Sequence, residues 1–301
     1  MFSTSSSSID GFVLVNGLQL HYRRWNTPTP KPDLPPILFL HGLASSSYIW
    51  NLVAPRLAEY GHEVIALDQR GHGESAKPDS GYDFATILAD DLAVVQALGL
   101  YRPLIVGHSW GAMAALEYAA APQAELSGLV LVDGALQQFS QRPGWSLEHA
   151  LRELAPPRYA GVTRETFLAF YSASPLAQAW TPDIEASVLH LVEQYPDGTI
   201  APRLAFENHL QIIEAMWHQS TLELYTRVQC PVHIIVAERE PFNEVGRLRA
   251  ELRKLGLEQI RALQPTARIV HMLDTIHDIP LQRPVELVNE ILASVAEGVA
   301  R

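Results

Sequence analysis

A chain of 301 residues is long enough for one large domain or for a core carrying an insert, and 48% hydrophobic residues suffices for a packed interior. Its 22 basic and 33 acidic residues give a formal net charge of -11, which disfavours nucleic acid and anionic membrane as partners, and no Lys/Arg run overrules that balance. The one cysteine, Cys230, has no internal disulfide partner and fits a reducing compartment.

The Ser-rich stretch from Met1 to Asp10 lacks the basic start and apolar core of a secretion signal, and no apolar run approaches membrane-spanning length. A soluble, cytoplasmic protein is expected. Phe12 to Val15 and Leu18 to Tyr22 alternate in polarity around Asn16-Gly17, the dipeptide that favours a type I′ turn, so a β-hairpin opens the fold. Five prolines between Thr27 and Pro36 make an extended surface connection, and Ile37 to Leu40 is a continuous apolar run suited to a buried parallel strand ending in His41-Gly42.

A helix pattern follows from about Tyr48 to Tyr60, then a strand from Val64 to Leu67 running into Asp68-Gln-Arg-Gly-His-Gly-Glu-Ser75. A helix from about Asp83 to Leu98 closes on Gly99. Next comes Gly107-His108-Ser109-Trp110-Gly111, preceded by the apolar run Pro103 to Val106 and followed by strong helix formers from Ala112 to Ala120. Strand, sharp turn and helix around G-x-S-x-G hold a serine in a strained conformation that exposes its hydroxyl, and the flanking glycines let strand and helix pass closely. Gly128 to Val132 is a further buried strand, ending at Asp133-Gly134.

Alternating strands and helices of this kind build a mostly parallel sheet with helices on both faces, an α/β fold. From about Ala135 to Val228 the alternation stops and the pattern is helical, broken by prolines, with Phe206, Leu210, Ile213 and Trp217 at helical spacing. The expectation is a core domain of residues 1–134 and 229–301 with an inserted helical cap of residues 135–228. Strands return at Val232 to Val236 and about Ala267 to Met272, with a helix from about Glu244 to Leu255 between them and a last helix from Pro284.

A serine hydroxyl becomes a competent nucleophile only when a base takes its proton, and a carboxylate must fix the tautomer of that base. Of twelve histidines, His277 lies just past the last strand, where the carboxyl ends of parallel strands gather catalytic groups; His271 is its nearest rival. Glu238 and Glu240 follow the strand at Val232 to Val236, and Asp133 follows the strand before it; Glu240 is the preferred acid, with a turn-capping role open to Asp133.

From Gly11 onward the sequence resembles the α/β-hydrolase family in its cap-bearing branch, which implies a sheet of eight strands. The matching pieces are His41-Gly42, Asp68 to Ser75, Gly107 to Gly111, Pro231 to Glu240 and His277 to Pro284, in the family's order and spacing. The resemblance implies a triad of Ser109, Glu240 and His277, with Glu standing where Asp is commoner, and backbone oxyanion donors at Leu43 and Trp110. It also implies hydrolysis of small to medium carboxylic esters, with lactones, thioesters and amides as further substrates of the same mechanism and a slow-turnover ligand sensor as the alternative. Serine at the elbow excludes the carboxylate-nucleophile dehalogenases and epoxide hydrolases of that fold.

His41, Arg70 and His72 read as loop-ordering residues. Aromatic residues of the cap, and Met216 and Trp217 foremost, are candidates to line the pocket. His190, His209 and His218 have no partner at metal-ligand spacing, and neither metal nor other cofactor is expected.

Overall fold

The computed structural model describes residues 8–27, 29, 31, 33–159, 161–241 and 243–299. Met1 to Ser7 of the Ser-rich stretch and Pro28, Pro30 and Pro32 of the proline-rich connection lie outside the described residues. Strands β1 (Ile9–Val15), β2 (Leu18–Trp25), β3 (Ile37–Leu40), β4 (Val64–Leu67), β5 (Leu104–His108) and β6 (Gly128–Val132) alternate with helices α1 (Ala54–Glu59), α2 (Phe84–Ala97) and α3 (Trp110–Ala120). Then come α4 (Leu147–Glu153), α5 (Arg164–Ser172), α6 (Pro182–Leu189), a small hairpin β7 (Val192–Gln194) and β8 (Ile200–Pro202), α7 (Phe206–His218) and α8 (Thr221–Tyr225). The chain ends with β9 (Val232–Ala237), α9 (Glu244–Leu263), β10 (Arg268–Met272), α10 (Ile279–Gln282) and α11 (Pro284–Val299).

Eight strands form one sheet in the order β1-β2-β4-β3-β5-β6-β9-β10. The β1-β2 and β2-β4 pairs are antiparallel and the others parallel, so the α/β fold class expected from the alternation is the one observed. Every residue of β3, β4, β5, β6 and β9 is buried, as a parallel strand covered on both faces requires. Two apolar cores lie on either side: Leu38, Leu40, Ile65 and Leu131 point to one, and Phe39, Val106, Val130 and Ile235 to the other. Alternation along β3 and β6 divides each strand between the two cores.

Local differences from the sequence reading have physical causes. Pro55 sits in the first turn of α1, so the helix pattern from Tyr48 to Tyr60 splits into a 3-10 turn at Ser47–Trp50 and a helix starting at Ala54. Gly256 resembles a helix stop, yet α9 runs through it to Leu263; a Cβ there would lie 2.0 Å from the Leu136 carbonyl oxygen, so the glycine serves close packing. The segment read as wholly helical contains the β7-β8 hairpin, whose connection carries Pro196-Asp197-Gly198. The Asp197 carboxylate accepts from both the backbone N–H and the hydroxyl of Thr199, and Gly198 takes a φ of 84°. Among the described residues no helix is long and apolar enough to cross a membrane.

Candidate active site

Ser109 stands between β5 and α3 with φ 55° and ψ -116°, a conformation that costs a non-glycine residue about 1–3 kcal/mol. The surrounding backbone imposes it. A Cβ on Gly107 would lie 2.2 Å from the Gly111 carbonyl oxygen, one on Gly111 would lie 2.4 Å from that of Leu40, and one on Gly134 would lie 2.1 Å from that of Ser109 itself. The turn therefore sits in a slot between the ends of β3 and β6, its amide donating to the Val132 carbonyl at 3.0 Å.

His277 follows β10 and reaches back across the sheet ends. Its Nδ1–H donates to Oδ2 of Asp133 at 2.6 Å, and the other carboxylate oxygen accepts the Ala237 N–H at 3.0 Å. Asp133 is buried at the end of β6, with Nη1 of Arg253 3.8 Å from Oδ1. Burial works to raise the Asp133 carboxyl, but the hydrogen bond and charge of His277, then Arg253 and the Ala237 N–H, outweigh it and hold the group below its ordinary value. For His277, burial opposes the imidazolium, yet the Asp133 bond and charge, reinforced by Asp278, raise it above its ordinary 6.5. The ring keeps about half its side-chain surface open, 52%, where it borders a cavity that it shares with Ser109.

The carboxylate bonded to His277 is thus Asp133, and the assignment of Glu240 is corrected. Glu240 is exposed in the loop after β9. Glu238, the other carboxylate of that loop, bonds Nδ1 of His271 at 2.7 Å, so the rival acid and the rival base meet each other instead. Asp133 directly follows the last residue of β6 and is buried between the His277 ring and the Ala237 N–H, whereas Glu240 lies three residues past the end of β9, in the exposed loop. His108 fixes the arrangement from the serine side, its Nε2–H donating to the His277 carbonyl at 2.9 Å. Burial and the neighbouring His277 push His108 down to about 4, which keeps this ring neutral.

The loop after β3 passes over the serine, with Gly42 close enough that a Cβ there would lie 3.2 Å from that of Ser109. Two neutral histidines set its course. His41 donates from Nδ1 to the Gly42 carbonyl (2.8 Å) and accepts the Gln69 N–H at Nε2 (3.1 Å). His72 donates from Nδ1 to the Arg70 carbonyl (2.9 Å) and accepts the Ala44 N–H at Nε2 (3.1 Å). Burial depresses both rings, consistent with Nε2 acting as an acceptor. Arg70 is turned away, its Nε donating to Asp90 at 2.6 Å. Asp68 ties the same loop to the hairpin: its carboxylate accepts from His21 Nδ1 (2.7 Å) and from the amides of Ser47 (2.6 Å) and Glu74 (3.0 Å). Among the described residues neither the Leu43 nor the Trp110 N–H donates to another backbone group. The Trp110 side chain is buried and stacks on His72 with centroids 5.2 Å apart, so only its backbone is available to the site.

The cavity has a volume of 370 Å³, at the small end of the range for small-molecule sites. It is lined by Ser109, His277 and Leu43 and by residues of the segment between β6 and β9, including Leu154, Tyr159, Tyr171, Val188 and Leu204. Met216 and Trp217 do not line it, which corrects their assignment. The buried stripe of α7 is Asn208, His209, Ile212, Ile213 and Met216, rotated from the expected Phe206, Leu210, Ile213 and Trp217. Two polar residues drive that rotation: Nδ2 of Asn208 donates to the Tyr82 hydroxyl at 2.8 Å and Nε2 of His209 to the Leu154 carbonyl at 3.2 Å. Met216 packs into the apolar core, while His209 and Asp278, neither of them singled out from sequence as pocket residues, line the cavity. Among the described residues no group of three or more His, Cys, Asp or Glu could hold a metal ion.

A family model described as the alpha/beta hydrolase family matches residues 37–291. The chain is 34% identical over 111 residues to AB hydrolase superfamily protein YisY of Bacillus subtilis (strain 168), a stretch covering 36% of this chain and 41% of that protein. It is 36% identical over 107 residues to a soluble epoxide hydrolase of Corynebacterium sp. (strain C12), covering 36% of this chain and 35% of that protein. The matched stretch is therefore well under half the length of either relative. Among solved structures, E-2-(acetamidomethylene)succinate hydrolase aligns with a TM-score of 0.74 at 22% identity over 96% of this chain and 99% of its own. A thioesterase domain from the curacin biosynthetic pathway gives 0.74 at 21% identity over 95% and 99%. At these identities the likeness is one of fold.

Proposed function

The chain belongs to the alpha/beta hydrolase family, and from that premise we propose that it is a serine hydrolase cleaving small to medium carboxylic esters. The observation that carries the proposal is the 2.6 Å bond from Nδ1 of His277 to buried Asp133, in a ring that shares a cavity with Ser109. That bond places the His277 proton on Nδ1 and leaves the Nε2 lone pair to take a proton.

Ser109 Oγ attacks the ester carbonyl carbon as its proton passes to Nε2 of His277, and Asp133 stabilises the resulting imidazolium. The carbonyl oxygen, now an oxyanion, accepts from the N–H groups of Leu43 and Trp110; in general one such donor is worth about 3–4 kcal/mol of transition-state stabilisation. Collapse breaks the ester C–O bond, and the leaving alcohol takes its proton from His277. Water then attacks the acyl-serine with His277 as base, and the carboxylic acid leaves with Ser109 restored.

Residues 135–228 are assigned as the cap over this site, with residues 1–134 and 229–301 as the core. The substrate is a small molecule met in the cytoplasm, a reading that the single cysteine, Cys230, supports. The test is steady hydrolysis of p-nitrophenyl esters together with labelling by an alkyl phosphonate. Ser109→Ala should lose both while keeping its melting temperature, since the Ser109 side chain makes no capping bond to α3. Labelling of Ser109→Ala at the wild-type rate would put the nucleophile elsewhere.

A further inference from the structure

The cavity around Ser109 is lopsided in charge. Among the described residues no Lys or Arg lines it. The nearby cations are committed elsewhere: Arg203 pairs with Glu74 at 2.7 Å, and Arg253 donates to the Ala237 carbonyl behind Asp133. Arg23 donates to Asn51 and Ser8. On the negative side, Asp278 lines the cavity directly beside the base. It stands at the start of α10, where a carboxylate ordinarily bonds the first turn, yet its side chain makes no such bond. Its charge is felt by two other lining residues: after burial and the effect of Asp133 it adds to the raising of His277, and after burial and Tyr159 it adds to the raising of Tyr171. The rest of the wall is largely apolar, with Leu154, Leu176, Val188, Leu191 and Leu204 among its residues.

A carboxylate entering such a space would lose its water, meet no Lys or Arg and face Asp278. An uncharged chain would meet aliphatic side chains and no like charge. Resting on the ester-hydrolase reading, we propose that this cavity selects acyl groups without negative charge and that Asp278 is the specificity-determining residue that turns carboxylate-bearing acyl groups away. The selection acts on the acyl portion, so it is read as a ratio between substrates within one protein, in which effects of a substitution on the chemical step cancel.

The experiment compares kcat/KM for the p-nitrophenyl monoester of adipic acid with that for the corresponding ester of adipic monoamide, a neutral isostere, in the full chain and in Asp278→Asn. Like charges separated by the width of such a cavity, at an effective dielectric near 20, disfavour the anionic ester by roughly tenfold or more. The amide should therefore be preferred by about that factor in the wild type, and the preference should shrink severalfold in Asp278→Asn. Equal rates for the two esters in the wild type would overturn the charge selection while leaving the hydrolase reading in place. A preference unchanged in folded Asp278→Asn would overturn the role of Asp278. Failure on all three substrates, these two esters and a simple p-nitrophenyl alkanoate, would overturn the hydrolase reading itself and the inference with it.

Discussion

Replacing Asp133 by Asn is the sharpest perturbation of the proposed site, because it removes one charge and almost no volume. Oδ1 of Asp133 accepts the Ala237 N–H at 3.0 Å, and an amide oxygen keeps that bond only if its NH2 group faces His277. The NH2 must then donate to Nδ1, which drives the ring proton to Nε2, the atom that has to receive the proton of Ser109. Serine hydrolysis with its base in the wrong tautomer falls by about 10⁴ in turnover, equivalent to about 5 kcal/mol of transition-state stabilisation. The pH profile moves as well. In the wild type, kcat/KM should fall as pH drops through a His277 value held above 6.5, since only the neutral ring is a base. Without the Asp133 charge that limb should move to lower pH. The assay is kcat/KM for a p-nitrophenyl ester across pH, on variants whose melting curves show them folded. Glu240→Gln, on an exposed loop, should stay within about twofold of wild type. An active Asp133→Asn beside a dead Glu240→Gln would refute the reasoning.

Three further outcomes are expected. Met216→Ala should cost about 2–4 kcal/mol in denaturant unfolding while leaving KM unchanged, because Met216 fills the core and not the cavity. His72→Ala removes the acceptor for the Ala44 N–H and should lower kcat by about tenfold to a hundredfold with little change in KM, by loosening the loop that carries Leu43; a rise in KM alone would place its effect elsewhere. Asp68 is held below its ordinary 3.8, the opposing effect of burial being outweighed by its bonds to His21 and the Ser47 amide. Its unfolded-state value is the higher one, so its stabilisation is complete above about pH 4 and is lost as pH falls through the folded value. Asp68→Asn should lower the melting temperature at neutral pH and weaken the fall of stability at acid pH.

The parts of this molecule that were legible in sequence are those determined by near neighbours along the chain. Asn16-Gly17 announces a hairpin, continuous apolar runs announce buried strands, and glycines flanking Ser109 announce close backbone approach. The acid was not decided locally. Asp133 and Glu240 both follow strands, and what separates them is a contact distant in sequence: His277, 144 residues on, folds back onto the buried Asp133, while Glu240 stays exposed. The wall of the cavity was hidden for a similar reason. Apolar periodicity marked α7 as amphipathic, but the face it buries is set by Asn208 and His209, polar residues whose partners at Tyr82 and Leu154 lie far off in sequence. The β7-β8 hairpin, by contrast, carries a local signal, the turn sequence Pro196-Asp197-Gly198.

The slot that holds Ser109 is built from carbonyl groups of Leu40 and His41, from Gly111 and from Gly134, segments that are distant in sequence and meet only when β3, β5 and β6 lie side by side. No fragment of the chain closes that slot by itself, so a partly collapsed chain with its helices formed holds an ordinary, relaxed serine. Reactivity toward a phosphonate is therefore a clock for the assembly of the sheet's centre. During refolding, labelling of Ser109 should lag the recovery of helical dichroism by the time that the long-range parallel pairing takes.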